Sequence, residues 1–357
     1  MTGVKCTDNK RRRKRRRRLS KRERRRRALI RLMIRILTLL CLILIVFAGF
    51  RLLGGKNKAA RFESETYNTA YHKENLFASS LSVITSDEDI PLENVSNLKA
   101  YGLFDVNQVN AAYAHQVHDK VYPASVTKIL TALVALENAS LTDTVTVSKN
   151  ACSTSFAWDE QTCGIKEGDK ISLEALLYGL LLYSGNDTAV AIAEHVGGSI
   201  EGFADMMNQK AAELMATHSN FVNPSGLYDD NHYTTAYDLY LIFNECIKNQ
   251  DFVKIIDADS YTATITGSDS SKRELTWKPT NYYDAGLAES PEHVKVVGGK
   301  TGTLLVAGNC LILMAADQSA NPYISVVMGA ETKDLLYQDM TSLLAQIPKT
   351  EASQASQ

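Results

Sequence analysis

Apolar residues first gather at positions 36–50, fifteen in a row without a charge, and no sustained apolar pattern follows until about residue 98. Extended to 28–53, with Arg31 and Arg35 snorkelling to one interface, the stretch meets the roughly 20 residues a membrane-spanning helix needs. Residues 54–97 are polar and poorly periodic and read as a stalk. From 98 onward the pattern changes again. Runs at 99–105 and 109–116 predict an opening hairpin. Helical signals follow over 129–137, 173–183 and 188–196, in a helical middle that reaches about 249. Strands return over 261–329, including 294–297 and 311–315, and 333–347 closes as a helix. Helices inserted between the first and last strands of one antiparallel sheet make an α/β (α+β) domain over 98–347, long enough for a substantial core. A polar tail, 348–357, ends the chain.

Charge gives the apolar segment a direction. Eighteen Lys and Arg lie within the first 35 residues against two acids, Asp8 and Glu23. Basic flanks stay on the cytoplasmic side, so 1–35 is expected inside, 28–53 as a single-pass anchor at the cell membrane, and the domain outside. Residues 47–55 match the small-residue pattern of a signal-peptidase site poorly, which favours an uncleaved anchor. Anionic membrane lipid is the natural partner of the basic tail. The whole-chain net charge of −1 conceals an acidic exterior portion, which argues against nucleic acid as a partner of the domain.

Three short strings then supply candidate chemistry. Ser125–Val126–Thr127–Lys128 follows a break at Pro123 and Ala124 and opens a helix, so Lys128 shares a helix face with the Ser125 hydroxyl and can reach its proton. Ser184–Gly185–Asn186 follows the apolar run 173–183 and precedes a helix, with Asp187 and Thr188 available as caps. The same S-x-N spacing occurs at Ser148 and Ser319 without that context. Lys300–Thr301–Gly302 sits between two strand-like runs. Gly298 and Gly299 just before it would let a substrate backbone lie close to that strand. S-x-x-K, S-x-N and K-T-G in this order form the set used by penicillin-recognising serine acyl transferases.

At these residues, over about 100–344, the chain resembles the serine-type D-alanyl-D-alanine carboxypeptidases, the low-molecular-weight penicillin-binding proteins of the DD-peptidase/β-lactamase superfamily. The stretches YPASVTKILTALVALE, YGLLLYSGNDTAVAIAEHVGG, FVNPSGLYDDNHYTTAYDLYLI and VVGGKTGTLLVAGNCLIL carry the resemblance. It implies Ser125 as nucleophile, Lys128 as general base, Ser184 as proton relay, and Asn186 as the holder of Lys128 and a substrate carbonyl. The backbone N–H groups of Ser125 and Thr303 would form the oxyanion hole, with Lys300, Thr301, Gly302 and Thr303 as the substrate-binding edge. A base must be neutral, so Lys128 needs a lowered pKa, from burial and from Lys300 as a neighbouring like charge. The implied partners are peptidoglycan stem peptides and, as covalent inhibitors, β-lactams. No cofactor or metal is implied.

Two departures stand out. Relatives commonly carry His where this chain has Ser225, and an Arg that clamps the substrate carboxylate where this chain reads Glu331 and Lys333. A D,D-endopeptidase, a β-lactamase or a non-turnover penicillin receptor on the same fold remain alternatives, although no glutamate-and-water motif of class A β-lactamases is found. Of the cysteines beyond the span, Cys152 and Cys163 flank a loop they could bridge as a disulfide, while Cys246 and Cys310 lie in apolar runs and read as buried thiols. His115 and His118 read as surface residues of the hairpin rather than metal ligands.

Overall fold

The computed structural model describes residues 81–84, 89–93 and 95–349, together with Met33. The expected tail and span, most of the stalk, and all but the first two residues of the C-terminal tail lie outside the described residues. No helix among the described residues is long and apolar enough to cross a membrane.

A five-stranded antiparallel sheet in the order β2-β1-β9-β8-β7 organises the domain. It comprises β1 (Ala100–Asp105), β2 (Asn110–His115), β7 (Val294–Leu304), β8 (Gly308–Asp317) and β9 (Pro322–Ala330). Alternation along its strands serves two cores. Phe104, Ile312, Ile324, Val326 and Met328 face the helical middle. Leu103, Leu311, Leu313 and Val327 face the closing helix α7 (Lys333–Leu344) with Leu336, Met340 and Leu343. Because β8 and β9 are covered on both faces, they read as near-continuous apolar runs.

The helical middle lies between β2 and β7 in sequence. Its axis is α1 (Lys128–Asn138), whose first eight residues are all buried. Around it stand α2 (Leu173–Tyr178), α3 (Asn186–Gly197), α4 (Ile200–Glu213), α5 (Ala236–Cys246) and α6 (Gln250–Ile256). Capping side chains start several of them: Ser172, Ser199, Thr235, Asn249 and Thr332 each accept a first-turn N–H of their helix.

Two expectations are corrected here. The strands after residue 261 do not all join the main sheet. β5 (Tyr261–Thr266) and β6 (Lys272–Trp277) pair with the short β3 (Thr144–Thr146) and β4 (Lys170–Ser172) in a second sheet, ordered β3-β4-β5-β6. Nor does the stalk extend to 97. Leu81 and Ile84 are buried in the main core, and Ile90 pairs with Ala114 at the β2 edge. The Ser82 N–H donates to the Tyr240 hydroxyl at 2.9 Å, His115 Nδ1 lies 3.0 Å from Asp89, and Ser96 bonds to the Asp339 carboxylate. These few apolar residues are spaced too widely to show periodicity, yet each finds a groove of the domain.

Candidate active site

Ser125 lies in a 3₁₀ turn (Ala124–Thr127) that runs straight into α1, so the helix opens one residue after the turn rather than at the serine itself. Lys128 is completely buried. Its Nζ is 3.0 Å from Ser125 Oγ, 2.8 Å from Asn186 Oδ1 and 2.7 Å from the Ser225 carbonyl. A neutral amine has two N–H donors and one lone pair. The two oxygens that can only accept, on Asn186 and Ser225, take the donors, and the lone pair is left facing the Ser125 hydroxyl. Burial pushes Lys128 down to about 7, against the opposing pull of Cys163, Asp187 and Glu160.

Ser184 sits at the end of a π-helical turn (Gly179–Tyr183) with a left-handed φ of 68°. That conformation is costly for a residue with a side chain, and it aims the hydroxyl at the cleft. Lys300 Nζ donates to Ser184 Oγ at 2.8 Å and to the Thr301 carbonyl at 2.8 Å. Burial, and then the charge of Lys128, hold Lys300 well below the usual lysine range. Burial is the larger cause for both amines, and the like-charge effect expected on Lys128 is seen on Lys300.

β7 brings Lys300, Thr301, Gly302 and Thr303 to the cleft as the edge of the main sheet. Thr301 Oγ1 is bridged to Thr280 Oγ1 at 2.7 Å, while Thr303 Oγ1 donates back to Asn309 at 3.1 Å. The glycines before Lys300 do not make room for a substrate. A Cβ on Gly298 would stand 2.0 Å from the Ile256 carbonyl oxygen, and one on Gly299 would stand 2.0 Å from that of Ile312. They let α6 and β8 approach instead. The close approach that matters to the site is at Gly302, where a Cβ would come within 2.9 Å of the Pro123 carbonyl and 3.1 Å of the Ser125 N.

Behind these groups lie positioning residues that the motifs did not single out for the site. Asp187, fully buried, accepts the backbone N–H groups of Cys163, Gly164, Ile165 and Thr188. Burial raises its pKa, and the four amides work against that rise. It thereby ties the loop before α2 to the turn carrying Asn186, the task a Cys152–Cys163 disulfide would have served. All four described cysteines are free: the Cys163 thiol donates to the Gly179 carbonyl at 3.4 Å and Cys152 Sγ lies 3.1 Å from Thr154 Oγ1. On the other side, His232 Nδ1 accepts the Val222 N–H at 3.2 Å, so its Nε2–H donates to Thr127 Oγ1 at 2.8 Å, inside the Ser125 turn. Burial pushes His232 down to about 4, which keeps the ring neutral at ordinary pH.

Ser125, Ser184, Asn186, Thr301, Gly302 and Thr303 all line one cleft of about 730 Å³, with Lys128 and Lys300 beneath its floor. A hydroxyl beside a buried neutral amine, with a second hydroxyl and amine across the cleft, can run acyl transfer. The family model for D-alanyl-D-alanine carboxypeptidases matches residues 86–332, a span that holds all three strings. The chain belongs to this carboxypeptidase family.

Individual carboxypeptidases agree. The chain is 30% identical over 240 residues to the D-alanyl-D-alanine carboxypeptidase DacA of Haemophilus influenzae, covering 66% of this chain and 57% of that one. It is also 30% identical over 239 residues to DacF of Bacillus subtilis, covering 65% and 57%. The matched region thus spans somewhat over half the length of these curated relatives. The crystal structure of the Streptomyces K15 DD-transpeptidase superposes with a TM-score of 0.65 at 26% identity, over 71% of this chain and 98% of that one. Where the resemblance leads one to expect an Arg, this carboxypeptidase-family chain presents Lys333 to the cleft, with Nζ 5.9 Å from the Tyr282 ring centre, whereas Glu331 is exposed outside it. Asp187 was legible as a helix cap, and His232 stood within a family stretch; neither carried a signal of which group it would hold.

Proposed function

We propose that the chain removes the terminal D-alanine from peptidoglycan stem peptides ending in D-alanyl-D-alanine, and that β-lactams acylate the same serine. Neutral Lys128 takes the Ser125 proton as Oγ attacks the carbonyl between the two D-alanines. The oxyanion is received by the N–H groups of Ser125 and Thr303. Ser184, held by Lys300, passes a proton to the leaving amine, and free D-alanine departs as the acyl-enzyme forms. Lys128 hands the proton it took to Ser184, replacing the one given to the amine. Water then attacks the acyl carbonyl and passes a proton to the neutral Lys128, which returns it to Ser125 Oγ as the shortened peptide leaves with a new carboxyl group. Lys300 and Thr301 meet the substrate carboxylate, with Gly302 keeping the strand close to Ser125.

The observation that carries this reading is the 3.0 Å approach of Ser125 Oγ to a buried Lys128 whose pKa is pushed down to about 7. The test follows D-alanine release from diacetyl-L-lysyl-D-alanyl-D-alanine. Release that disappears in Ser125→Ala supports it, and release that persists in that variant refutes it. Transfer of the acyl group to an amine rather than to water is a second reading, favoured by the likeness to a structure named a transpeptidase. Adding glycine as acceptor and looking for the transfer product separates the two.

The membrane arrangement belongs to the same proposal. A basic segment at 1–35 against anionic lipid, a span at 28–53 and an exterior domain are supported by the charge and hydropathy of the sequence. Protease added outside intact cells should digest the domain and spare the tail. Protection of the domain would overturn the topology.

A further inference from the structure

The cleft lining carries charges of both signs. Lys333, at the start of α7, lines it above the buried Lys300 of β7, and Asp159 and Glu160, from the loop before α2, line it as well. Neither of these carboxylates forms an ion pair among the described residues, and Glu160 acts on Lys128 only through space. Two linked observations place this acidic part of the lining along the path of a ligand. The Asn186 N–H donates to the Gln161 carbonyl at 2.8 Å, which fixes the acidic pair beside the Asn186 turn. The Asn186 side chain itself is only 5% exposed and spends its Oδ1 on Lys128. Its Nδ2 lines the cleft with no acceptor among the described residues, a donor that an incoming peptide carbonyl would satisfy.

An extended peptide lying across Ser125 with its terminal carboxylate at Lys300 and Thr301 would run its acyl arm past Asn186, and the side chain preceding the two D-alanines would come toward Asp159 and Glu160 beside that turn.

We infer that Asp159 and Glu160 select stem peptides in which the residue before D-alanyl-D-alanine ends in a free side-chain ammonium group. The inference rests on the carboxypeptidase reading above. A diamino acid with an unmodified terminal amine meets these side chains as a charge-assisted pair; the same residue acylated on that amine, or a neutral side chain, leaves two carboxylates facing an apolar or amide group.

The full-length protein tests this with two peptides differing in one group: Nα-acetyl-L-lysyl-D-alanyl-D-alanine, with its ε-amine free, and the diacetyl form. The free-amine peptide should be favoured in kcat/KM by roughly fivefold, the size of a well-formed exposed ion pair. Raising the ionic strength should shrink that ratio. In Asp159→Asn with Glu160→Gln the ratio should fall to about one, with stoichiometric penicillin labelling at Ser125 reporting that the variant is folded. Equal kcat/KM for the two peptides in the unaltered protein, or a preference that survives the double substitution, overturns the inference while leaving the carboxypeptidase reading intact. Failure to release D-alanine from either peptide would defeat both.

Discussion

The Asp187 carboxylate accepts the Cys163 N–H at 2.8 Å, across twenty-four residues of sequence, and through that bond the cleft wall is fastened to the turn bearing Asn186. Three further backbone N–H groups converge on the same two oxygens. Asp187→Asn keeps the shape but replaces one acceptor oxygen with an NH₂ that faces donors. It should lower the stability of the domain by about 1–3 kcal/mol, visible as a reduced urea midpoint. A midpoint within the range of an ordinary surface substitution would show that the loop is held by other means.

Acylation should depend on pH through Lys128. The amine is the working form, and its pKa stands at about 7, so the rate of labelling by a fluorescent penicillin should plateau above that value. It should fall about tenfold for each unit below it. A second-order labelling rate that is flat from pH 5 to 9 would remove Lys128 from the role of base.

Gly302 is the point at which β7 meets the Ser125 turn. In Gly302→Ala the new methyl group would press on the Pro123 carbonyl and the Ser125 N–H. The strand can relieve this by moving outward, away from the hydroxyl. A displacement on the order of 1 Å costs about a hundredfold in rate. D-alanine release and penicillin labelling should both drop by about that factor, with the thermal midpoint changed by only a few degrees. Unaltered labelling would mean that the turn follows the strand.

His232 makes a prediction about stability rather than rate. Its folded pKa, about 4, is depressed below the unfolded value near 6.5, so between those limits the unfolded chain binds the additional proton. Above pH 6.5 the ring is neutral in both states and its contribution is complete. As pH falls from 6.5 toward 4 the domain should lose up to about 3 kcal/mol from this residue. The acid-side slope of the unfolding free energy should be shallower in His232→Gln. An identical slope would assign the acid sensitivity elsewhere.

Motif order singled out Ser125, Lys128, Ser184, Asn186 and Lys300 as candidates, and the structure places Ser125, Ser184 and Asn186 along one cleft with Lys128 and Lys300 buried beneath it. What the sequence could not convey was geometry set by distant backbone. Gly298 and Gly299 looked like space for a substrate, because a missing side chain says nothing about which neighbour fills the gap; Ile256 and Ile312 fill it. Cys152 and Cys163 flank a loop in a way that suits a disulfide, yet the loop is held by a carboxylate whose partners are main-chain N–H groups, and these have no sequence signature. The second sheet escaped for a related reason. β3 and β4 are three residues each, too short to show alternation, and they count as strands because they pair with one another across twenty-odd residues of sequence, with β4 joined to β5 by a single residue pair.

Among the described residues β7 is the last strand of the main sheet and keeps one row of backbone groups without a strand partner. An open edge of that kind ordinarily invites the strands of other proteins and leads toward aggregation. Here Thr301, Gly302 and Thr303 of that strand line a cleft whose other lining comes from the Ser125 turn and the loops carrying Glu160 and Tyr228. This part of the edge therefore faces a bounded cleft, and the groups that would otherwise recruit a neighbouring protein's strand are turned toward the candidate site.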